Sequence, residues 1–333
     1  MPTAPNYSVE DLLAIDCDAE VQRISDWINQ TVGGVLGKRG VVLGLSGGID
    51  SSVCAALAVQ ALGADKVFGL LLPECDSRAS ATDLGAALAE SLGIRQITQN
   101  ITSALTALGC YEQRDAAIRR LFPDYDEGWK CKLVIAGGQQ GGINYFQLIV
   151  QNRSGAFDKR RLPLREYLQI VAATIYKQRV RKTIEYFHAD RLNYAVIGTP
   201  NRLEFDQGFF VKNGDGAADL KPIAHLYKTQ VYALAAQLGL PAVIRNSTPS
   251  TDTYSLEQSQ DEFYFALPYQ SMDIALRLHN LQRPAEALAS ALAISIDKAH
   301  RIYADINAKR RSTRYLHRPS LLLEPVITWN PAD

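Results

Sequence analysis

The 333-residue sequence has no excess of either charge, because 35 Lys and Arg residues balance 35 Asp and Glu residues. This balance gives no support to a protein that binds nucleic acids or membrane surfaces by general electrostatic attraction. No stretch reaches the ~18 apolar residues of a membrane-spanning helix. The acidic N-terminal segment also lacks the pattern of a signal peptide. We therefore expect a soluble cytoplasmic protein that binds neither nucleic acid nor membrane.

Cysteine is scarce, and its pattern excludes the common cysteine-based architectures. The chain has an odd number of cysteines, and no two of them stand in a C-x-x-C spacing. A disulfide framework or a zinc ribbon is therefore not expected, and a reducing compartment fits this usage best. The five histidines form no spacing typical of metal ligands. The cysteines are Cys17, Cys54, Cys75, Cys110 and Cys131.

Short apolar runs that alternate with helical patterns indicate the fold. The helix that follows the second run has a candidate N-cap at Ser80 and a stop signal at Gly93. This rhythm predicts an α/β fold with a doubly wound parallel sheet and flanking helices. The predicted strands are residues 40–45, 66–73, 94–101 and 191–199, and the predicted helices are residues 9–38, 52–62, 80–93 and 165–190.

Two segments interrupt this rhythm. Residues 122–163 combine loop-like stretches with one candidate strand, "YFQLIVQ", and we expect an insertion outside the main sheet. Residues 245–262 form a polar, turn-rich loop that we expect to be mobile. Residues 263–318 follow a helical pattern. Because nothing marks a domain linker, we predict a single domain over residues 1–333 with that insertion and a helical C-terminal extension.

The stretch "VVLGLSGGIDSS" predicts a strand, a tight glycine turn and the start of a helix. Two glycines allow the turn without a Cβ clash, and the first N–H groups of the helix then favour an anion such as phosphate. Serine hydroxyls add donors. No lysine follows the glycines, so the stretch is not a Walker A loop, and it is not G-x-G-x-x-G. The candidate anion-binding residues are Ser46, Gly47, Gly48, Ser51 and Ser52.

An acidic residue, Asp50, stands at the exit of this turn. Its carboxylate would repel a phosphate unless a cation lay between them, and Mg²⁺ bound to both would resolve the conflict. The alternative is that Asp50 only caps the N-terminus of the helix.

"SGGIDSS" resembles the pyrophosphate-binding loop of the N-type ATP pyrophosphatases, which have an adenine nucleotide alpha hydrolase-like fold. Residues 194–239 resemble one branch of that superfamily, the NAD synthetase family. There a strand ending in Gly-Thr leads to a glutamate, then to a "GFFxKxGDGxAD" segment and a "K-x-Q" helix start. Residues 176–187 resemble the "R-x-R" helix of the family. The matching positions are Gly198-Thr199, Glu204, Gly208 to Asp219 and Lys228 to Gln230.

The resemblance implies the roles of individual residues. Asp50 and Glu204 would hold Mg²⁺, Lys228 would contact the ATP phosphates, and Asp215 would act near the incoming ammonia. Thr199 would lie at the ATP site, and Ser250 and Thr251 would belong to a loop that closes over ATP. The implied contacts of deamido-NAD are Arg179, Tyr186, Phe209, Lys212 and Asp219.

Plainer interpretations stand beside these roles. Glu204 could be a surface glutamate paired with Arg202, and Lys228 a solvated residue of a first helical turn. "NGDG" is a common turn, and Phe209 could be a core residue. The helix at 176–187 could be an ordinary amphipathic helix.

The reaction implied by the resemblance is ATP-dependent amidation of deamido-NAD with ammonia through an adenylated nicotinate, releasing AMP and pyrophosphate. A homodimer is implied as well. Only about 45 residues precede Ser46, so we expect no attached glutaminase, although a separate ammonia-supplying glutaminase fits. Three departures from the family pattern, Ile175, Leu71 and "GTPNRLE", concern the contacts of the dinucleotide and of adenine.

Three alternatives stand beside this reaction, and the departures keep the first of them open. An adenylating ligase for another carboxylate would form AMP, but not with deamido-NAD. A tRNA sulfur transferase should have a basic surface and catalytic cysteines, which the charge balance and the cysteine pattern disfavour. A nucleotide-binding regulator would bind ATP without turnover, which the joint presence of Asp50, Glu204 and Lys228 disfavours.

Overall fold

The computed structural model describes residues 9–136, 145–247, 253–258, 264–265 and 267–326. The strands are β1 (Val41–Gly44), β2 (Val67–Leu71), β3 (Arg95–Thr98), β4 (Lys130–Ala136), β5 (Tyr145–Gln151), β6 (Phe157–Arg161) and β7 (Ala195–Val196). The helices are α1 (Val9–Leu12), α2 (Cys17–Asn29), α3 (Ile49–Leu62), α4 (Ala79–Ser91), α5 (Thr102–Ala107), α6 (Cys110–Arg119), α7 (Leu164–Thr174), α8 (Tyr176–Leu192), α9 (Arg202–Gln207), α10 (Lys228–Gln237), α11 (Ala242–Arg245), α12 (Tyr269–Asn280), α13 (Ala285–Leu292) and α14 (Ile296–Thr313).

The main sheet is parallel, and its strand order is β3-β2-β1-β7. Val41 of β1 pairs with Val67 of β2 on one side and with Ala195 of β7 on the other. The winding direction therefore reverses between β1 and β7. In open α/β sheets, ligands bind outside the carboxyl ends of the strands at such a reversal. The predicted doubly wound parallel sheet is confirmed.

β1 is buried on both faces, as expected of a parallel strand covered by helices. Val41 and Leu43 pack into one core with residues of α2, α3 and α10. Val42 points the other way and packs with Phe68 and Leu70 into a second core that includes residues of α5 and α8. This alternation fixes the direction in which the chain leaves β1, and so fixes the position of the loop after it.

Several predicted boundaries were wrong. Ser80 lies inside α4, whose N-cap position is Arg78, whereas Gly93, with a φ of 66°, follows the end of α4 as predicted. The predicted helix 165–190 is divided at Ile175 into α7 and α8. The predicted strand 191–199 is largely not a strand. α8 continues to Leu192, and only two residues of β7 pair with β1, because the chain then turns towards the α9 loop.

Residues of the predicted insertion form a second sheet, which we call the inserted sheet. It is antiparallel, its order is β4-β5-β6, and it is separate from the main sheet. β5 coincides with the predicted strand "YFQLIVQ", but β4 and β6 were not predicted. Cys131 and Leu133 pack with Leu148 and Val150 on one face of this sheet. The division of the chain into one domain with an insertion stays a prediction.

The C-terminal region is helical in the part that the structure describes, as predicted, with α12, α13 and α14 around a core of their own. Part of the loop predicted to be mobile differs from expectation. Tyr254, Leu256 and Gln258 are buried, and they alternate with the less buried Ser255 and Glu257. Alternation in "TYSLEQ" is a strand-like signal that the turn-rich flanks obscured. In the described ranges, no helix combines the length and the apolar character needed to cross a bilayer.

Candidate active site

The loop between β1 and α3 makes its turn at Gly47. Gly47 has a φ of 75°, and a Cβ there would collide with the backbone of Ala81 in α4. Gly48 is different, since its φ of −86° is open to any residue and a Cβ would approach Ser46 Oγ at 3.3 Å. The requirement for glycine therefore falls mainly on Gly47.

The serines of this loop hold its shape. The hydroxyls of Ser51 and Ser52 donate to the carbonyl oxygen of Gly48 at 3.0 and 2.8 Å, and both side chains are buried. Ser46 is exposed, and its Oγ lies 3.1 Å from that of Ser51. Ser46 therefore presents a hydroxyl at the surface, whereas Ser51 and Ser52 are engaged within the loop. Contacts of these three serines with a phosphate stay predictions.

Asp50 joins three segments that are distant in sequence. It lies in the first turn of α3, where it is the only residue of 49–58 that is not buried. Its Oδ1 accepts a hydrogen bond from Asn201 Nδ2 at 3.1 Å, and its Oδ2 pairs with the ammonium of Lys228. The loop after β7 and the start of α10 therefore meet the loop between β1 and α3, where phosphate binding was predicted and which we call the phosphate loop, at one carboxylate.

Asn201 also orients the second predicted metal ligand. Its Oδ1 accepts from the backbone N–H groups of Leu203 and Glu204 at 2.9 and 3.2 Å, and Glu204 Oε2 accepts from Asn201 N at 3.1 Å. This capping box begins α9. Asn201 thus holds both Asp50 and Glu204. The sequence analysis missed it, although "NRLE" carries the capping signal.

The side chain of Lys228 is buried, with an exposed fraction of 2%. The carboxylates of Asp50 and Glu204 both act on its ammonium group. Burial disfavours the ammonium, but Asp50 and Glu204 outweigh burial and raise the pKa of Lys228. Burial also raises the pKa of the Cys54 thiol, and the same two carboxylates add to that effect. The lysine therefore stays charged at neutral pH, and Cys54 stays protonated.

Asp273 fixes the backbone that carries Lys228. Its carboxylate is fully buried and accepts from the N–H groups of Lys228 and Thr229 at 3.1 and 2.7 Å. Burial raises the pKa of Asp273 to about 6, with these N–H groups opposing the rise. An acid from α12 therefore caps α10. No local signal could have revealed a partner 45 residues away.

The predicted dinucleotide residues meet between α8 and the turn at 208–219. Tyr186 donates to Asp219 Oδ1 at 3.3 Å, and Asp219 Oδ2 accepts from the N–H of Val196 at 2.7 Å. Arg179 Nε donates to the carbonyl oxygen of Lys212 at 3.3 Å. The structure thus brings Tyr186 close to Asp219 and Arg179 close to Lys212. Their contacts with deamido-NAD stay predictions.

Asp215 lies beside a buried ion pair that the sequence analysis missed. Its carboxylate accepts from Val211 N at 2.8 Å. Burial raises the pKa of Asp215, against opposing effects of that N–H and of Lys182. Lys182 pairs with Glu185 at 2.5 Å, and both are buried. Burial lowers the pKa of Lys221, and the positive charge of Lys182 adds to that effect.

Phe209 and Lys212 face the C-terminal region. The ring of Phe209 stacks on Tyr264 with 4.7 Å between centroids. Lys212 Nζ donates to the carbonyl oxygens of Tyr315 and Arg318, each at 3.2 Å. In this structure these contacts match the plainer interpretation of Phe209 as a packing residue. A role for either residue at the dinucleotide stays a prediction.

The remaining predicted ATP residues are positioned less fully. Thr199 is half-buried and follows β7, two residues before Asn201. Ser250 and Thr251 lie outside the described residues.

The fold and the loop after β1 define a doubly wound α/β protein with a glycine turn at its winding reversal. A family model described as NAD synthase matches residues 20–121 and 131–314. The chain is 55% identical over 317 residues to an NH(3)-dependent NAD(+) synthetase of Rhizobium meliloti (strain 1021), covering 95% of each chain. It is 37% identical over 235 residues to the NH(3)-dependent NAD(+) synthetase of Thermotoga neapolitana, covering 71% of this chain and 76% of the relative. The chain therefore belongs to the NAD synthase family.

Solved structures agree with this fold. The NMN synthetase from Francisella tularensis has a TM-score of 0.65 at 23% identity, covering 93% of this chain and 99% of its own. The NH3-dependent NAD synthetase from Campylobacter jejuni has a TM-score of 0.62 at 21% identity, covering 93% of this chain and 100% of its own. At such identities the similarity establishes the fold.

Replacement of Gly47 tests the geometry of the phosphate loop. We expect Gly47→Ala to lower the free energy of unfolding by about 1–3 kcal/mol, because the left-handed backbone and the Ala81 contact both oppose a Cβ. Urea unfolding at pH 7 measures this loss. Gly48→Ala is the matched control and should cost less than about 1 kcal/mol. Equal losses in the two variants would contradict this account of the turn.

Replacement of Asp273 tests the cap of α10. In Asp273→Asn only one oxygen remains, so one buried N–H loses its acceptor and stability should fall by about 1–3 kcal/mol. The exposed Asp297→Asn in α14 is the control and should change little. No loss of unfolding free energy at Asp273 would show that its two hydrogen bonds do not stabilise α10.

The same carboxyl group predicts a dependence of stability on pH. The pKa of Asp273 is about 6 in the native state, whereas the ordinary pKa of an aspartic acid side chain is 3.8. The native state therefore binds more protons between these values, so this contribution to stability falls as pH rises through that window. The difference in unfolding free energy between wild type and Asp273→Asn should narrow from pH 4 to pH 6.5. A difference that is constant or widens would contradict the raised pKa.

Proposed function

We propose that the chain is a ligase that amidates deamido-NAD to NAD with ammonia, consuming ATP and releasing AMP and pyrophosphate. The observation that carries this proposal is the meeting of Asp50, Glu204 and Lys228 beside the phosphate loop, at the winding reversal of the sheet. Membership of the NAD synthase family and the similarity to NH(3)-dependent NAD(+) synthetases support the same reaction.

The phosphate loop and Lys228 would act on ATP. The N–H groups at the start of α3 favour negative charge. The ammonium of Lys228 already lies against Asp50, so a short movement would bring it to a phosphate oxygen. There it would offset the charge that develops on the departing pyrophosphate. Burial of Lys228 makes this effect stronger than it would be in water.

The two acids suit a magnesium ion. Asp50 and Glu204 offer carboxylate oxygens, which are the ligands that Mg²⁺ prefers, and Asn201 links the two residues. The residues present therefore fit this ion, which when bound would neutralise charge on the ATP phosphates. Asn201 would keep the two acids oriented whether or not the ion is present.

The acceptor half of the reaction would lie between α8 and residues 208–219. Arg179 and Lys212 offer positive charge to the phosphates or carboxylate of deamido-NAD, while Tyr186 and Asp219 offer hydroxyl and carboxylate groups to its ribose. A nicotinate oxygen would attack the α-phosphorus of ATP and displace pyrophosphate. Ammonia would then attack the activated carbonyl carbon, and AMP would leave with that oxygen. Asp215, whose pKa burial raises, would accept the released proton.

The cellular setting follows from the same resemblance and from the cysteines. Those at 17, 54, 75, 110 and 131 are all free thiols in the structure, which suits a reducing cytoplasm. A homodimer, and ammonia that arrives free or from a separate glutaminase, complete the proposal.

A product assay with point variants tests the reaction. Wild-type protein with Mg²⁺, ATP, deamido-NAD and ammonium should form NAD and AMP in equal amounts. Asp50→Ala, Glu204→Ala and Lys228→Met should each lower kcat by about 10²-fold or more, because each removes charge stabilisation near the phosphates. The exposed Glu90→Ala in α4 is the control for loss of an acid. AMP without NAD would indicate a different acceptor, and no AMP with any acceptor would reject the ligase.

A further inference from the structure

The segment Thr253–Gln258 is docked on the inserted sheet. Tyr254 packs into the core of that sheet with Cys131 and Leu133, and its exposed fraction is 4%. Cys131 N donates to Ser255 Oγ at 2.9 Å, and Leu256 N donates to the carbonyl oxygen of Cys131 at 3.1 Å. Gln258 Nε2 also donates to the carbonyl oxygen of Leu133.

These bonds use one edge of β4, while β5 pairs with its other edge. The segment therefore lies along the free edge of β4. One hydrogen bond to β4 is between backbone atoms, and two involve side-chain atoms of the segment. An edge strand with free N–H and C=O groups is a natural place for such pairing.

Lys177 connects this docked segment to the main sheet. Its Nζ donates to Thr253 O at 2.9 Å, to Glu74 Oε1 at 2.9 Å and to Asp76 Oδ2 at 2.8 Å, so all three of its protons are used. Its side chain is 1% exposed. A second bridge joins Arg78 to Glu257 at 2.9 Å. Both bridges reach the connection between β2 and α4, residues 72–78.

That connection leads to the phosphate loop. It passes directly into α4, and the backbone of Ala81 lies against Gly47 so closely that no side chain could fit between them. On the other side, Arg181 Nε donates to the carbonyl oxygen of Leu72 at 3.1 Å. A continuous set of contacts therefore runs from β4 through residues 253–258 and 72–78 to the phosphate-binding turn.

The two faces of α8 are turned towards different parts of the site, one towards the ATP side and one towards the proposed dinucleotide side. Lys177 and Arg181, four residues apart, face the connection 72–78. Arg179 and Tyr186, seven residues apart, face residues 208–219. A disturbance of the docked segment should therefore reach the ATP side of α8 before the dinucleotide side.

We propose that the inserted sheet positions the ATP half of the site, with residues 253–258 as the docked segment and Lys177 as the positioning residue that joins it to the connection 72–78. This inference rests on the proposed function, because it takes MgATP as the ligand of the phosphate loop. It assigns to the inserted sheet a role in nucleotide affinity, not in the chemical step.

The direct test is a variant that weakens the contacts of residues 253–258 with β4 and leaves no buried charge without a partner. Lys177→Met would leave the buried Glu74 without its cation, although Asp76 would keep its ion pair with Arg114, and this variant could fail to fold. Ser255→Ala combined with Gln258→Leu instead removes one acceptor and one donor from the β4 edge. Lys159→Met, on the exposed strand β6 of the same sheet, is the matched control.

Three quantities decide the outcome. In the double variant we expect faster hydrogen exchange over residues 253–258 and a Kd for MgATP, from calorimetry without acceptor, that rises at least about fivefold. The Kd for deamido-NAD should change less than about twofold, and Lys159→Met should match wild type in all three. Lys177→Met, if folded, should show a larger rise in the Kd for MgATP, and Lys177→Arg should recover part of it.

Several results would overturn the inference. Unchanged exchange would show that the β4 bonds do not hold the segment. Faster exchange with an unchanged Kd for MgATP would show that docking has no part in nucleotide binding, and equal rises for both ligands would indicate general loosening. Wild-type protein that binds MgATP but forms no NAD would reject the proposed reaction alone, and the Kd for MgATP would still decide the role of the inserted sheet.

Discussion

The pairing of Asp50 with Lys228 is the interaction on which the site depends. The two residues are 178 positions apart, and they meet because β1 and β7 are neighbours in the sheet, with α3 and α10 packed on one face. Lys228 is buried, so removal of Asp50 would leave the ammonium without its nearest compensating charge, and loss of such a partner in a buried pair commonly costs about 3–5 kcal/mol. The pair therefore has to be supported from several sides. Asn201 holds the carboxylate, and Asp273 holds the backbone of the lysine.

The pair places a cation and an acid beside the turn at which the proposed function puts the phosphates of ATP. Without nucleotide, the acid and the lysine satisfy each other. Under the proposed function, a polyphosphate bound at the turn would attract the ammonium of Lys228 and leave the carboxylate of Asp50 for a metal ion. Buried charges are costly to maintain, and their presence at a winding reversal points to function as well as to stability. Another ion pair, in which both Lys182 and Glu185 are buried, lies within α8.

The sequence was most informative for features that depend on residues close together in the chain. The glycine turn and the parallel sheet could be predicted from neighbouring residues, and the segment that contains Glu204 and Lys228 was identified by its resemblance to the NAD synthetase family. Asn201 carried a readable capping signal that was overlooked. Asp273 and the partners of Lys177 could not be predicted, because they depend on contacts between segments that only the folded chain brings together. β7 was overestimated for a related reason, since only pairing with β1 decides how much of an apolar run is a strand.

The most direct test of the account follows one oxygen atom. Deamido-NAD labelled with ¹⁸O in its nicotinate carboxylate is incubated with the protein, MgATP and ammonium, and the AMP is analysed by mass spectrometry. An adenylated nicotinate predicts one ¹⁸O atom in each AMP, because the attacking carboxylate oxygen leaves with the phosphate. Unlabelled AMP, or ¹⁸O found in orthophosphate, would contradict the adenylate and with it the role assigned to Asp50 and Lys228.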